Sequence, residues 1–109
     1  MSRAEYEIKP EALRQKMDAG ERFILLDVRR DDEVATSSLP HTVHIPIEEI
    51  EERVGELNPD AETVVFCHHG VRSLSIAVYL KNRGFRDVTS LAGGIDLWSQ
   101  RIDPSVPRY

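Results

Sequence analysis

The chain is expected to be an α/β protein with a mostly parallel sheet covered by helices on both faces. Three observations carry that expectation. Short apolar, β-branched runs alternate along the chain with longer stretches of helical spacing. The run Phe23–Val28 is almost continuously apolar, as in a strand buried on both sides. The strands are separated by helical lengths of chain, which parallel crossovers require.

The elements follow in order. Tyr6–Ile8 can form a short first strand. Pro10 suits the first turn of a helix through Ala19, with Leu13 and Met17 on one face and Gly20 as its stop. Phe23–Val28 is the second strand. Val43–Ile45 is a third, ended by Pro46. A helix is predicted over 46–54, with Ile47, Ile50 and Val54 on one face and Glu48, Glu49, Glu51 and Glu52 on the solvated sides. Asn58-Pro59-Asp60 is a turn, and Thr63–Phe66 is the fourth strand. A helix is predicted over 73–83, with Lys81 and Arg83 in its last turn and Gly84 closing it. Val88–Leu91 is the fifth strand. Gly93-Gly94 opens a short helix carrying Ile95, Leu97 and a core Trp98. Residues 102–109, with Pro104 and Pro107, read as an extended tail.

Composition narrows the function. The 109 residues make one domain, 1–109, without internal repeats, and 40% apolar against 30% charged residues is a globular balance. A net charge of −5 and no basic stripe argue against a nucleic-acid partner. No apolar run reaches the roughly 20 residues of a membrane span. Residues 1–6 lack an apolar signal region, and a single cysteine permits no intrachain disulfide, so a reducing cytoplasm is the expected compartment.

That cysteine, Cys67, ends the fourth strand and is followed by His68-His69-Gly70-Val71-Arg72-Ser73. In an open parallel sheet, the carboxyl ends of the strands are where ligands bind. A tight loop of backbone N–H groups, the positive end of the next helix and the Arg72 guanidinium would all favour a negative sulfur. Gly70 allows the backbone to turn. Cys67 is therefore the candidate nucleophile, and His68, His69, Gly70, Val71, Arg72 and Ser73 are candidate substrate-binding residues. Arg72 would hold an anionic substrate or else brace the loop through a salt bridge. His68 and His69 are expected to contribute their N–H groups, with side chains toward solvent. Asp27 and Arg29, after the second strand, are expected to support the loop. No cofactor and no metal is expected: His41, His44, His68 and His69 lack ligand spacing on one element, and Gly93-Gly94 reads better as close packing than as a phosphate cradle.

These residues resemble the rhodanese family over nearly the whole chain. Leu26-Asp27-Val28-Arg29 with Glu33 resembles its first signature, and His44-Ile45-Pro46 its second. Cys67–Ser73 resembles its active-site loop, and Leu91–Trp98 its closing motif. The resemblance implies a three-layer α/β/α fold with a five-stranded sheet. It also implies a sulfurtransferase whose cysteine carries sulfane sulfur as a persulfide. Its partners would be a small anionic donor such as thiosulfate or a protein persulfide, and a thiol or sulfur-carrier protein as acceptor. One stretch departs from the pattern. Where the family usually shows Gly-His-Ile-Pro-Gly-Ala, this chain has Ser37-Ser38-Leu39-Pro40-His41-Thr42, which leaves that loop's conformation open. The tail Ile102–Tyr109 resembles the ends of rhodanese domains fused behind enzymes that adenylate ubiquitin-like sulfur carriers.

Two other readings exist. A cysteine phosphatase or arsenate reductase uses a related loop, but with Cys-x5-Arg spacing; here Cys67 to Arg72 is Cys-x4-Arg, one residue shorter. A non-catalytic binding module on the same fold is the second, and the intact Cys67 argues against it.

Overall fold

The computed structural model describes residues 3–109; the reading of Met1 and Ser2 as part of a non-signal N-terminus lies outside them. Five strands form one sheet: β1 (Glu7–Ile8), β2 (Ile24–Asp27), β3 (Thr42–His44), β4 (Thr63–Phe66) and β5 (Val88–Leu91). Their order is β1-β5-β4-β2-β3, and every pairing is parallel. The helices are α1 (Pro10–Asp18), α2 (Asp31–Thr36), α3 (Ile50–Arg53), α4 (Val71–Asn82) and α5 (Gly94–Arg101). None of the described helices is long and apolar enough to cross a membrane.

The two-residue period of the strands sorts the core into two layers. Leu26, Val65, Cys67 and Val88 pack with Ile50, Ile76, Ala77 and Leu80 on the α3/α4 face. Leu25, Val64, Phe66 and Leu91 pack with Leu13, Ile95 and Trp98 on the α1/α5 face. All of β4 is buried, because it lies at the centre of the sheet with helices above and below. The pairing of Asp27 with both His44 and Phe66 aligns three strand ends, so Val28, Ile45 and Cys67 leave the sheet together at its carboxyl edge.

Four expectations change. The predicted helix over 46–54 is broken into a 3-10 turn at Ile47–Glu49, the single turn α3, and a second 3-10 turn at Val54–Glu56. Four glutamates within five residues repel one another, and so short a segment cannot sustain a regular helix by itself. The apolar face is nonetheless as expected: Ile50 is buried, with Ile47 and Val54 packed beside it. Helix α4 starts at Val71, not Ser73, because Gly70 takes a left-handed cap conformation at φ +97° and turns the chain straight into the helix. Helix α2 was not expected, although Asp31, Asp32 and Glu33 make an acidic first turn of the kind helix N-termini favour. Finally, the tail is not merely extended. Val106 is buried, its carbonyl accepts from Ser99 Oγ at 2.6 Å, and Tyr109 returns to the carboxyl edge of the sheet.

Candidate active site

Strand β4 delivers Cys67 to the sheet edge, and Gly70 turns the chain into α4 directly above it. Cys67 is 1% exposed. Its Sγ accepts the Gly70 N–H at 3.1 Å and the Ser73 N–H at 3.3 Å. The Ser73 hydroxyl lies 3.3 Å from the same sulfur and 2.7 Å from the hydroxyl of buried Ser90 on β5. The first N–H groups of a helix have no partners inside it, so α4 turns its positive end onto the sulfur.

Gly93 and Gly94 prove to be packing residues. The Ile95 N–H donates to the Cys67 carbonyl at 2.9 Å and the Asp96 N–H to the His68 carbonyl at 3.1 Å, so the start of α5 is occupied by the loop itself. A Cβ on Gly94 would run into the His68 and Cys67 carbonyls, and one on Gly93 into Leu97. Gly94 is small so that α5 can hold the loop from beneath.

Arg72 is bound to a residue that sequence reasoning did not single out as part of the site. Its Nη1 and Nη2 donate to the two oxygens of Glu33 at 2.7 and 2.9 Å. Glu33 is 5% exposed and also accepts the Arg30 N–H at 3.1 Å and the Tyr109 hydroxyl at 2.9 Å. With the Arg72 guanidinium as the main cause, its carboxyl is held down to about 2. The salt bridge considered for Arg72 is formed, and it uses two of the five guanidinium N–H donors.

The hydrogen bonds described for the Asp27 and Arg29 side chains reach the Cys67 loop only through Tyr109 and Glu33. Arg29 is fully buried, and all five of its N–H donors are used. Nε and Nη2 go to the Asp27 carboxylate at 2.9 and 2.7 Å, and Nη2 also reaches the Ser37 carbonyl at 2.7 Å. Nη1 reaches the Tyr109 hydroxyl at 2.9 Å and the Glu33 carbonyl at 3.4 Å. The chain of contacts then runs from Arg29 through α2 and Tyr109 to Glu33, and from Glu33 to Arg72.

Of the two loop histidines, His68 differs from expectation. The His68 ring does not point freely to solvent: it stacks on Tyr109 with centroids 3.7 Å apart and lies 3.8 Å from the His69 ring. Burial, then the neighbouring His69, push His68 toward its neutral form. His69 is exposed, 3.9 Å from Asp96. Val71 is exposed at the mouth of the loop. The histidine set weighed from sequence is not assembled, because His41 precedes β3 at the opposite end of the sheet and His44 Nε2 is bonded to the Arg29 carbonyl at 2.7 Å. The described residues instead bring ligand atoms of His68, His69 and Asp96 within 4.8 Å of one another. The two rings lie at 31° to one another, and Asp96 is held by Arg108 at 2.8 Å and Gln100 at 3.0 Å.

Tyr109 was missed because a tail reads as extended from its prolines. A lone aromatic after Pro107 was the available signal.

The chain as a whole has relatives among known proteins. The pattern describing the rhodanese-like domain matches residues 9–101. YtwF of Bacillus subtilis, which carries a provisional sulfurtransferase name, is 39% identical over 98 residues, covering 90% of this chain and 94% of that protein. Thiosulfate sulfurtransferase GlpE of Pseudomonas aeruginosa is 35% identical over 91 residues, covering 84% and 81%. The crystal structure of a rhodanese-related protein from Thermoplasma volcanium superposes with a TM-score of 0.82 at 29% identity, covering 95% of this chain and 99% of that one.

Proposed function

The chain belongs to the rhodanese-like family of sulfurtransferases, and from that premise we propose that it moves sulfane sulfur through a persulfide on Cys67. The observation that carries this is the sulfur itself, buried at the end of β4 and receiving two backbone N–H groups from the loop and first turn of α4. Such donors favour negative charge on sulfur.

In the first step the Cys67 thiolate attacks the outer sulfur of the donor. One S–S bond forms and one breaks, and the donor leaves with the bonding pair, as sulfite from thiosulfate or as a thiolate from a persulfide. The Val71 and Arg72 N–H groups lie on the same open turn and can receive the new outer sulfur. In the second step a nucleophilic acceptor takes that sulfur and Cys67 leaves as thiolate. Cyanide serves as acceptor in an assay; a thiol, free or borne on a sulfur-carrier protein, is the corresponding cellular class. Two covalent half-reactions imply ping-pong kinetics.

The test is Cys67→Ser. Oxygen in place of sulfur cannot form the persulfide, and the change in volume is small. The variant should fold like the parent and make no thiocyanate from thiosulfate and cyanide; substantial turnover by the folded variant would refute the mechanism.

A further inference from the structure

The charges around the loop cancel in pairs. Arg72 is bidentate to Glu33, and Arg29 is bidentate to Asp27. On the rim, Arg30 is held by Asp32 at 3.0 Å and Arg108 by Asp96 at 2.8 Å. The His68 ring is wedged between His69 and Tyr109. Among the described residues, each arginine at this edge of the sheet faces a carboxylate. Among the described residues, backbone dipoles, the exposed His69 ring and the spare N–H groups of Arg72 remain to receive a donor; two of the five Arg72 donors are spent on Glu33. The whole chain adds a net charge of −5.

Resting on the persulfide reading above, we infer that Glu33 determines donor specificity: by neutralising Arg72 it disfavours a small dianion such as thiosulfate and favours sulfane sulfur carried on a thiol, R–S–SH. The balanced step is Cys67–S⁻ + R–S–SH → Cys67–S–SH + R–S⁻. The outer sulfur keeps its proton, the S–S bond of the donor breaks, and R–S⁻ departs with the electron pair. A thiol-borne donor presents less negative charge to a reactive thiolate that has no unpaired cation beside it. Exposed Val71, next to the loop, offers an apolar contact suited to an organic R group and not to sulfite. Glu33 touches no reacting atom. It is a positioning residue that acts through Arg72, and its second role, accepting the Arg30 N–H at the start of α2, is one that glutamine can keep.

The experiment measures kcat/KM of the unmodified protein for thiosulfate and for N-acetylcysteine methyl ester persulfide. Salt is varied from about 0.01 M, where the screening length is about 30 Å, to about 1 M, where it is about 3 Å. The persulfide should be the better donor, and the thiosulfate value should stay flat or rise with salt. A steep fall for thiosulfate would reveal an uncompensated cation and overturn the inference. In Glu33→Gln, thiosulfate kcat/KM at low salt should rise about five-fold or more, through KM, and then fall as salt is added; the persulfide value should change by less than about two-fold. Glu33→Asp keeps the charge and should keep the parent's salt response. If both variants lose both donors in parallel, Glu33 is only structural and the inference fails. If both donors load sulfur on Cys67 but show no charge ranking, this inference fails while the persulfide mechanism stands; if neither loads Cys67, both fail.

Discussion

Arg72 and Glu33, 39 residues apart in sequence, meet through two hydrogen bonds of 2.7 and 2.9 Å that tie the Cys67 loop to α2. The bond has a pH signature. Glu33 is held down to about 2 from an ordinary 4.5, chiefly by Arg72. A carboxyl depressed on folding contributes stability that is fully present above its unfolded value and is lost as pH falls through its folded value. The Arg72–Glu33 contribution should therefore be intact at pH 6 and decline between about pH 4.5 and 2. Thermal unfolding of the parent and Glu33→Gln should differ clearly at pH 6 and converge near pH 2. A constant difference would show that Glu33 does not titrate against Arg72.

The Ser90–Ser73–Cys67 chain makes a second prediction. Ser73 has one hydroxyl proton. If it is given to a negative Cys67 sulfur, 3.3 Å away, Ser90 must donate to Ser73 across the 2.7 Å contact. Ser90→Ala removes that donor, while the fold loses only a small buried hydroxyl. With a hydrogen bond worth about 1 kcal/mol, sulfur loading onto Cys67 should slow about five-fold. Alkylation of Cys67 by iodoacetamide at pH 7 should slow with it, and Tm should fall by about 4–8 °C for the lost buried hydrogen bond. Unchanged rates would show that the Ser73 hydroxyl does not serve the sulfur.

His41 supplies a third. It is the one non-glycine residue with positive φ among those described, at +59°. It stands where the resembling segment has its second glycine. A left-handed conformation costs an ordinary residue about 1–2 kcal/mol, part of which glycine returns through its greater unfolded-state freedom. His41→Gly should therefore stabilise the protein by about 0.5–1 kcal/mol, raising Tm by about 3–5 °C. Since His41 lies at the opposite end of the sheet from Cys67, sulfur transfer should be unaffected. A lower Tm would mean that the His41 side chain stabilises the loop by more than its backbone strain costs.

Much of this architecture is legible in the chain itself. The β-branched runs of β2 and β4, the glycine entry to α4 and the double glycine before α5 each carry a local signal, and together they locate Cys67. The Gly93-Gly94 pair reads as packing because a helix start pressed against a loop needs the missing Cβ. What could not be read are partnerships made at long range. The first signature includes Glu33 but does not mark it as the partner of Arg72, and the lone aromatic after Pro107 does not by itself announce a hydroxyl that bridges Arg29 and Glu33. Helix α2 escapes sequence reading for a related reason: only six residues long, it buries one side chain, Glu33, and that side chain is held by Arg72 from 39 residues away.

The central claim is that sulfur travels on Cys67, and the most direct measurement is the intact mass of the protein after one exposure to donor without acceptor or reductant. The account predicts a gain of one sulfur atom, mapped by peptide analysis to Cys67, lost on adding cyanide with formation of one thiocyanate per protein, and absent from Cys67→Ser. A protein that turns over donor and acceptor but never carries the added sulfur, or carries it equally in Cys67→Ser, would contradict it.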